Sequence, residues 1–84
     1  MRVIILPRAD KFMLSLNQKL RDSIETKLRL LSDYPNVKNL DIKKIVGSES
    51  FYRLRIGKYR VLFEIVSNEI IVYKIEHRKN IYRD

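Results

Sequence analysis

The chain has 84 residues, 45% of them apolar and 33% charged, a balance that suits one folded domain with a single modest core and excludes a disordered polymer. It contains no cysteine, which excludes a disulfide framework and any thiolate metal site. Eighteen Lys plus Arg against ten Asp plus Glu leave a net charge of +8, a bias towards polyanionic partners: nucleic acid, ribosome, acidic lipid or an acidic protein.

The opening RVIIL, residues 2–6, reads as a short buried strand bounded by Pro7. Its apolar run is too short for a signal peptide or a bilayer span, so a cytoplasmic protein is the simplest expectation. Pro7 suits the first turn of a following helix, where its missing N–H costs nothing.

From Ala9 to Tyr34 there is neither proline nor glycine. Ala9, Phe12, Met13 and Leu16 fall at helical spacing, as do Leu20, Ile24, Leu28 and Leu31. The two stripes do not join, and the polar SLNQK lies between them. Two helices with a tight break near Asn17 are predicted, the second ended by Pro35, which disfavours helical geometry in the residue before it. Residues 36–50 show no clear period. They read as a loop in which Leu40, Ile42 and Ile45 touch the core and Gly47 marks a turn, while Lys43 and Lys44 extend a basic surface ahead of the next segment.

The stretch FYRLRIGKYRVLFEI, residues 51–65, reads as a β-hairpin. Gly57 in the first central position of Ile56-Gly57-Lys58-Tyr59 suits a two-residue type II′ turn. That register pairs Arg55 with Arg60, Leu54 with Val61 and Arg53 with Leu62. Alternation then places Tyr52, Leu54, Ile56, Tyr59, Val61, Phe63 and Ile65 on a core face and Arg53, Arg55, Arg60, Leu62 and Glu64 on the opposite, outer face. For the following strand, near 70–76, a two-residue loop seats Lys74 and Glu76 in the core. A three-residue loop, Ser67-Asn68-Glu69, avoids this by sending Ile71, Tyr73 and Ile75 inward and Val72, Lys74 and Glu76 outward, so it is the expected one. Continued alternation brings Arg78 to the outer face and turns His77 towards the core. Like charges across a strand pair destabilise it, yet Arg53, Arg55, Arg60 and Arg78 converge on one face. Arginine forks bidentately onto phosphate, so a phosphate-binding face is expected, with Lys58 and Lys74 as secondary cations beside Lys43 and Lys44.

The segments YRLRIGKYRVLFEI and EHRKNIY, with the β-α-α-β-β-β order and the chain length, resemble the RelE/ParE superfamily of toxin–antitoxin toxins, with the RelE-like branch favoured. The resemblance covers nearly the whole chain and implies a single domain over residues 1–84. The implied fold is α+β: a helical hairpin on one face of a small, largely antiparallel sheet of four strands. The implied activity is ribosome-dependent mRNA cleavage without metal or cofactor, in which the ribose 2′-OH attacks the adjacent phosphate to leave 2′,3′-cyclic phosphate and 5′-OH ends. Such chemistry needs a proton acceptor, cations for the charge on phosphorus and a donor for the leaving oxygen. By position in the motif, Arg53 and Arg55 match the basic pair of the first hairpin strand, and Arg60 the scissile-phosphate contact. Arg78 matches a phosphate or leaving-group contact, and Tyr82 the C-terminal tyrosine that stacks on a base or assists proton transfer. Some relatives carry lysine where this chain has Arg53 and Arg55, and arginine accepts a proton poorly. The base is then sought in Tyr82, Glu64 or the ribosome. The resemblance also implies an antitoxin partner laying an acidic helix or extended segment near the basic face. Two alternatives stay open: a ParE-like DNA gyrase inhibitor, and a module that binds RNA or ribosome without turnover.

Overall fold

A computed structural model describes residues 1–78. The opening β-branched run forms β1, Arg2–Ile5. Pro7 takes the first position of α1, Pro7–Leu14, where its ring presets the helical φ. Asn17 lies between the helices as the cap of α2, Gln18–Leu31, and its Oδ1 accepts from the Leu20 N–H at 3.0 Å. The tight break read at Asn17 is therefore a capping event. Four strands follow: β2 Asp41–Lys44, β3 Phe51–Ile56, β4 Tyr59–Val66 and β5 Glu69–His77.

The strands form one sheet in the order β1-β5-β4-β3-β2. β1 runs parallel to β5, and the other neighbours are antiparallel. The sheet has five strands, a correction to the four expected. The added strand is β2, inside the segment read as a loop. DIKK carries one apolar residue in four, so no alternating pattern announces it. It forms because its backbone completes the exposed edge of β3, pairing Asp41 with Arg55 and Lys43 with Arg53. A short, charged edge strand also discourages pairing with another chain.

Ala9 and Met13 of α1 and Ile24, Leu28 and Leu31 of α2 pack in one core cluster with Leu54, Val61, Phe63, Ile70, Val72 and Ile75 of the sheet. Phe63 is fully buried, and removing such a side chain from water is worth about 2 kcal/mol. The opposite sheet face carries the charged residues of β3 and β4.

The β3–β4 hairpin has the expected register, with Arg55 opposite Arg60 and Ile56 opposite Tyr59. Gly57 has φ +56° and Lys58 has none of the positive φ that a type I′ turn needs, in keeping with type II′. The β4–β5 connection differs from the expected one. It is a two-residue turn in which Ser67 and Asn68 have φ of +50° and +62° and Val66 pairs with Glu69. The conflict that argued against this turn is resolved by a β-bulge. Phe63 pairs with Val72 and Leu62 with Lys74, so Tyr73 is the extra residue. Ahead of the bulge Ile70 and Val72 face the core; beyond it Ile75 does, and Lys74 and Glu76 stay outside. Val72 is thus buried rather than outward, and Ile71 and Tyr73 are not core residues.

Candidate phosphate-binding face

The outer face of β2, β3 and β4 gathers the arginines. Arg53 and Arg55, two apart on β3, project to the same side, and Arg60 on β4 stands opposite Arg55. Arg53 and Arg60 are not solvated: they are 9% and 8% exposed. Both line a cavity of about 190 Å³ together with Lys43, Lys44, Ile45 and Leu62. The sequence-based expectation that Arg60 sits on a solvent face is corrected here. It shares the lining of this small cavity with Arg53, with Lys43 and Lys44 of the unannounced strand β2, and with Ile45 and Leu62.

Asp41 is the carboxylate that balances this cluster, and it was not singled out from the sequence. Its two oxygens lie 3.3 Å from Arg53 Nη1 and 3.4 Å from Arg55 Nε. An acidic residue two positions before a lysine pair was the available signal, but it meant nothing until β2 was known to pair with β3. The Arg60 pKa is pushed down, first by burial and then by the charges of Arg53, Arg55 and Arg78, while Asp41 pulls it back up. Arg78 thus acts on Arg60 from nearby. It is exposed, and its N–H donates to the Lys58 carbonyl at 2.7 Å, which ties it to the hairpin tip.

The secondary lysines divide. Lys43, opposite Arg53, joins the arginine face. Lys44 alternates to the other face, opposite Tyr52, with its Nζ 6.0 Å from the Tyr52 ring centre. Lys74 is on the outer face and ion-pairs with Glu76. Lys58 is exposed in the hairpin turn, beside a groove shared with Tyr59 and His77 on the helix side. His77 points to the core side as expected, opposite Tyr59 with the two rings edge to face at 5.3 Å. Tyr82 lies outside the described residues.

Glu64, one of the three sources considered for a general base, is engaged. Its Oε1 accepts from the Tyr73 hydroxyl at 2.5 Å and its Oε2 from the Ser50 hydroxyl at 3.0 Å. The Tyr73 pKa is raised by that hydrogen bond, then by burial and by the Glu64 charge. The hydrogen bond to Glu64 holds Tyr73 in its protonated form, and both Glu64 oxygens are already engaged by hydroxyls of the chain. What the face can do is hold anionic oxygen: several guanidiniums, two of them desolvated, converge where charge on phosphorus could be received.

The sequence matches the family model for the ParE toxin of type II toxin-antitoxin systems, parDE, over residues 3–82. It is 49% identical over 43 residues to Toxin RelE3 of Methanocaldococcus jannaschii, a match covering 51% of this chain and 49% of that one, so it spans about half the length of that relative. It is 37% identical over 70 residues to Putative toxin RelE1 of the same organism, covering 80% of this chain and 73% of the relative. Among solved structures, the fold matches a chain of the RelB-RelE antitoxin-toxin complex from Methanococcus jannaschii with a TM-score of 0.79 and 28% identity, covering 95% of each chain.

Proposed function

The chain belongs to the RelE/ParE toxin superfamily, in its RelE-like branch, and on that premise we propose that it is the toxin of a toxin–antitoxin pair and cleaves mRNA on the ribosome. The observation that carries this reading is the pair of buried guanidiniums, Arg53 and Arg60, with Arg55 and Arg78 acting on the same spot. In the proposed reaction the ribose 2′-oxygen attacks the adjacent phosphorus and its proton passes to a base. The P–O5′ bond breaks, and the 5′-oxygen leaves with a proton as 5′-OH, leaving a 2′,3′-cyclic phosphate. Arg60 and Arg53 would hold the non-bridging oxygens and stabilise their growing charge, and Arg55 and Arg78 would flank them. Among the described residues, Glu64 and Asp41 are already held by other groups. The base is therefore assigned to the ribosome or to Tyr82. The proposed protein partner is an antitoxin with acidic groups facing the arginines, as charge complementarity favours.

Purified protein incubated with programmed ribosomes, read out by primer extension with naked mRNA and an Arg60→Ala variant alongside, tests the reading. A cut in the A-site codon that requires both ribosome and Arg60 supports it; intact mRNA sinks it. The family model matched is that of the ParE toxin, so gyrase inhibition is the second reading, and DNA-damage signalling without mRNA cleavage would establish it. Tight ribosome binding with intact mRNA would instead identify a binding module without turnover.

A further inference from the structure

The bulge at Tyr73 does more than correct the phase of β5. It turns the Tyr73 ring onto the outer face, where the ring meets Phe51 at a centroid distance of 5.5 Å and a tilt of 35°. The Tyr73 hydroxyl is fixed by Glu64, and Glu64 is fixed again by Ser50, so the ring's position is held from two sides. Phe51 and Tyr73 line a cavity of about 440 Å³ with Pro7, Ile45 and Leu62 and with the cations Arg8 and Lys74. Ile45 and Leu62 also line the smaller cavity of Arg53 and Arg60. An apolar, aromatic chamber and a cationic one therefore share a wall.

We propose that the Phe51–Tyr73 chamber is a nucleobase subsite, which receives a base of the RNA strand whose phosphate rests on Arg53 and Arg60. This rests on the RNA reading of the arginine face. The occupant is chosen by charge: the chamber shares Ile45 and Leu62 with the cavity of Arg53 and Arg60 and has Arg8 and Lys74 in its own lining, so an apolar group arrives there best on a polyanion, and a nucleotide combines a flat π-face with a phosphate. Aromatic platforms bind bases by stacking with little regard to identity. Bulges commonly re-aim a side chain next to an active site, and this one supplies half of the platform. The chamber volume lies within the range of small-molecule pockets, which reach several hundred Å³. Fixing the Tyr73 ring in advance lowers the cost of ordering it when the base arrives.

Fluorescence anisotropy with a labelled oligoadenylate and an abasic ribose-phosphate strand of the same length tests this on the purified protein. The wild type is expected to bind the base-bearing strand roughly tenfold more tightly. Phe51→Ala and the volume-retaining Phe51→Leu are expected to lower that affinity to the abasic level and to leave the abasic strand's affinity unchanged. Arg60→Ala is expected to weaken both. Phe51→Leu keeps an apolar side chain at a half-buried position, so its melting temperature checks that the fold persists. Equal binding of the two strands by the wild type, or a base preference that survives in Phe51→Leu, overturns the subsite while leaving the RNA reading in place. Failure to bind either strand overturns the subsite and the claim that the arginine face holds RNA unaided, and leaves ribosome-dependent cleavage to its own test.

Discussion

Asp41 and Arg55 face each other across β2 and β3, and the Asp41 carboxylate lies 3.4 Å from Arg55 Nε while its other oxygen reaches Arg53. This carboxylate is half-exposed, whereas the Arg53 side chain is 11% exposed. Asp41 therefore offsets charge at the mouth of the cluster without filling it. It also competes with any phosphate for the same guanidiniums.

Replacing that carboxylate separates its two effects. Asp41→Asn keeps the shape and removes the charge, and is expected to cost about 1 kcal/mol of stability, since a mostly buried Arg53 loses its counter-charge across a partly solvated contact. The same variant is expected to bind single-stranded RNA several-fold more tightly at low salt. Urea unfolding and oligonucleotide titration measure the two. Weaker RNA binding would mean that Asp41 is needed to hold the guanidiniums in position.

Arg60 is expected to behave in the opposite sense. Burial and the neighbouring arginines oppose its charge while Asp41 favours it, so Arg60→Met, which retains the stem's bulk, is expected to change stability by no more than about 1 kcal/mol. Ribosome-dependent cleavage is expected to fall by at least about a hundredfold in the same variant. A large drop in the urea midpoint alongside lost cleavage would make Arg60 a residue of the fold rather than of the reaction.

The hydroxyl of Tyr73 gives a pH dependence. Its folded pKa is raised above the ordinary 10.0 by Glu64 and burial, so the folded state holds this proton more tightly than the unfolded chain does. Its contribution to stability is therefore fully present below about pH 10 and is lost as pH rises through the higher folded value. Tyr73→Phe is expected to lose stability at neutral pH and to show a shallower alkaline decline than the wild type. Unfolding midpoints measured between neutral pH and pH 11 test this; parallel profiles would remove the linkage.

The β4–β5 turn can be improved. Ser67 and Asn68 both occupy the left-handed region, where serine is poorly suited and Asn-Gly is the favoured pair. The double substitution Ser67→Asn with Asn68→Gly is expected to add about 0.5–1 kcal/mol of stability and to preserve the Val66–Glu69 register. An unchanged or lower urea midpoint would count against a type I′ turn at this position.

The sequence by itself determined the elements whose causes are local. Pro7, Asn17 and two apolar stripes were enough for the helices. Gly57 and strict alternation on both sides of it were enough for the hairpin, and with it for the convergence of Arg53, Arg55 and Arg60 on one face. Tertiary structure alone decided the rest. β2 has no apolar period of its own and exists as the partner of an open strand edge, so Asp41 could not be matched to its arginines from its neighbours in the chain. The bulge at Tyr73 is a mismatch between two strands. Read along β5 alone, it is a phase error in the alternation, which a longer turn accommodates equally well. Whether an extra residue sits in a turn or in a strand depends on which backbone groups can pair and which side chains fit against the helices. Those are properties of the assembled sheet, and they decided that Tyr73 faces the arginine side rather than the core.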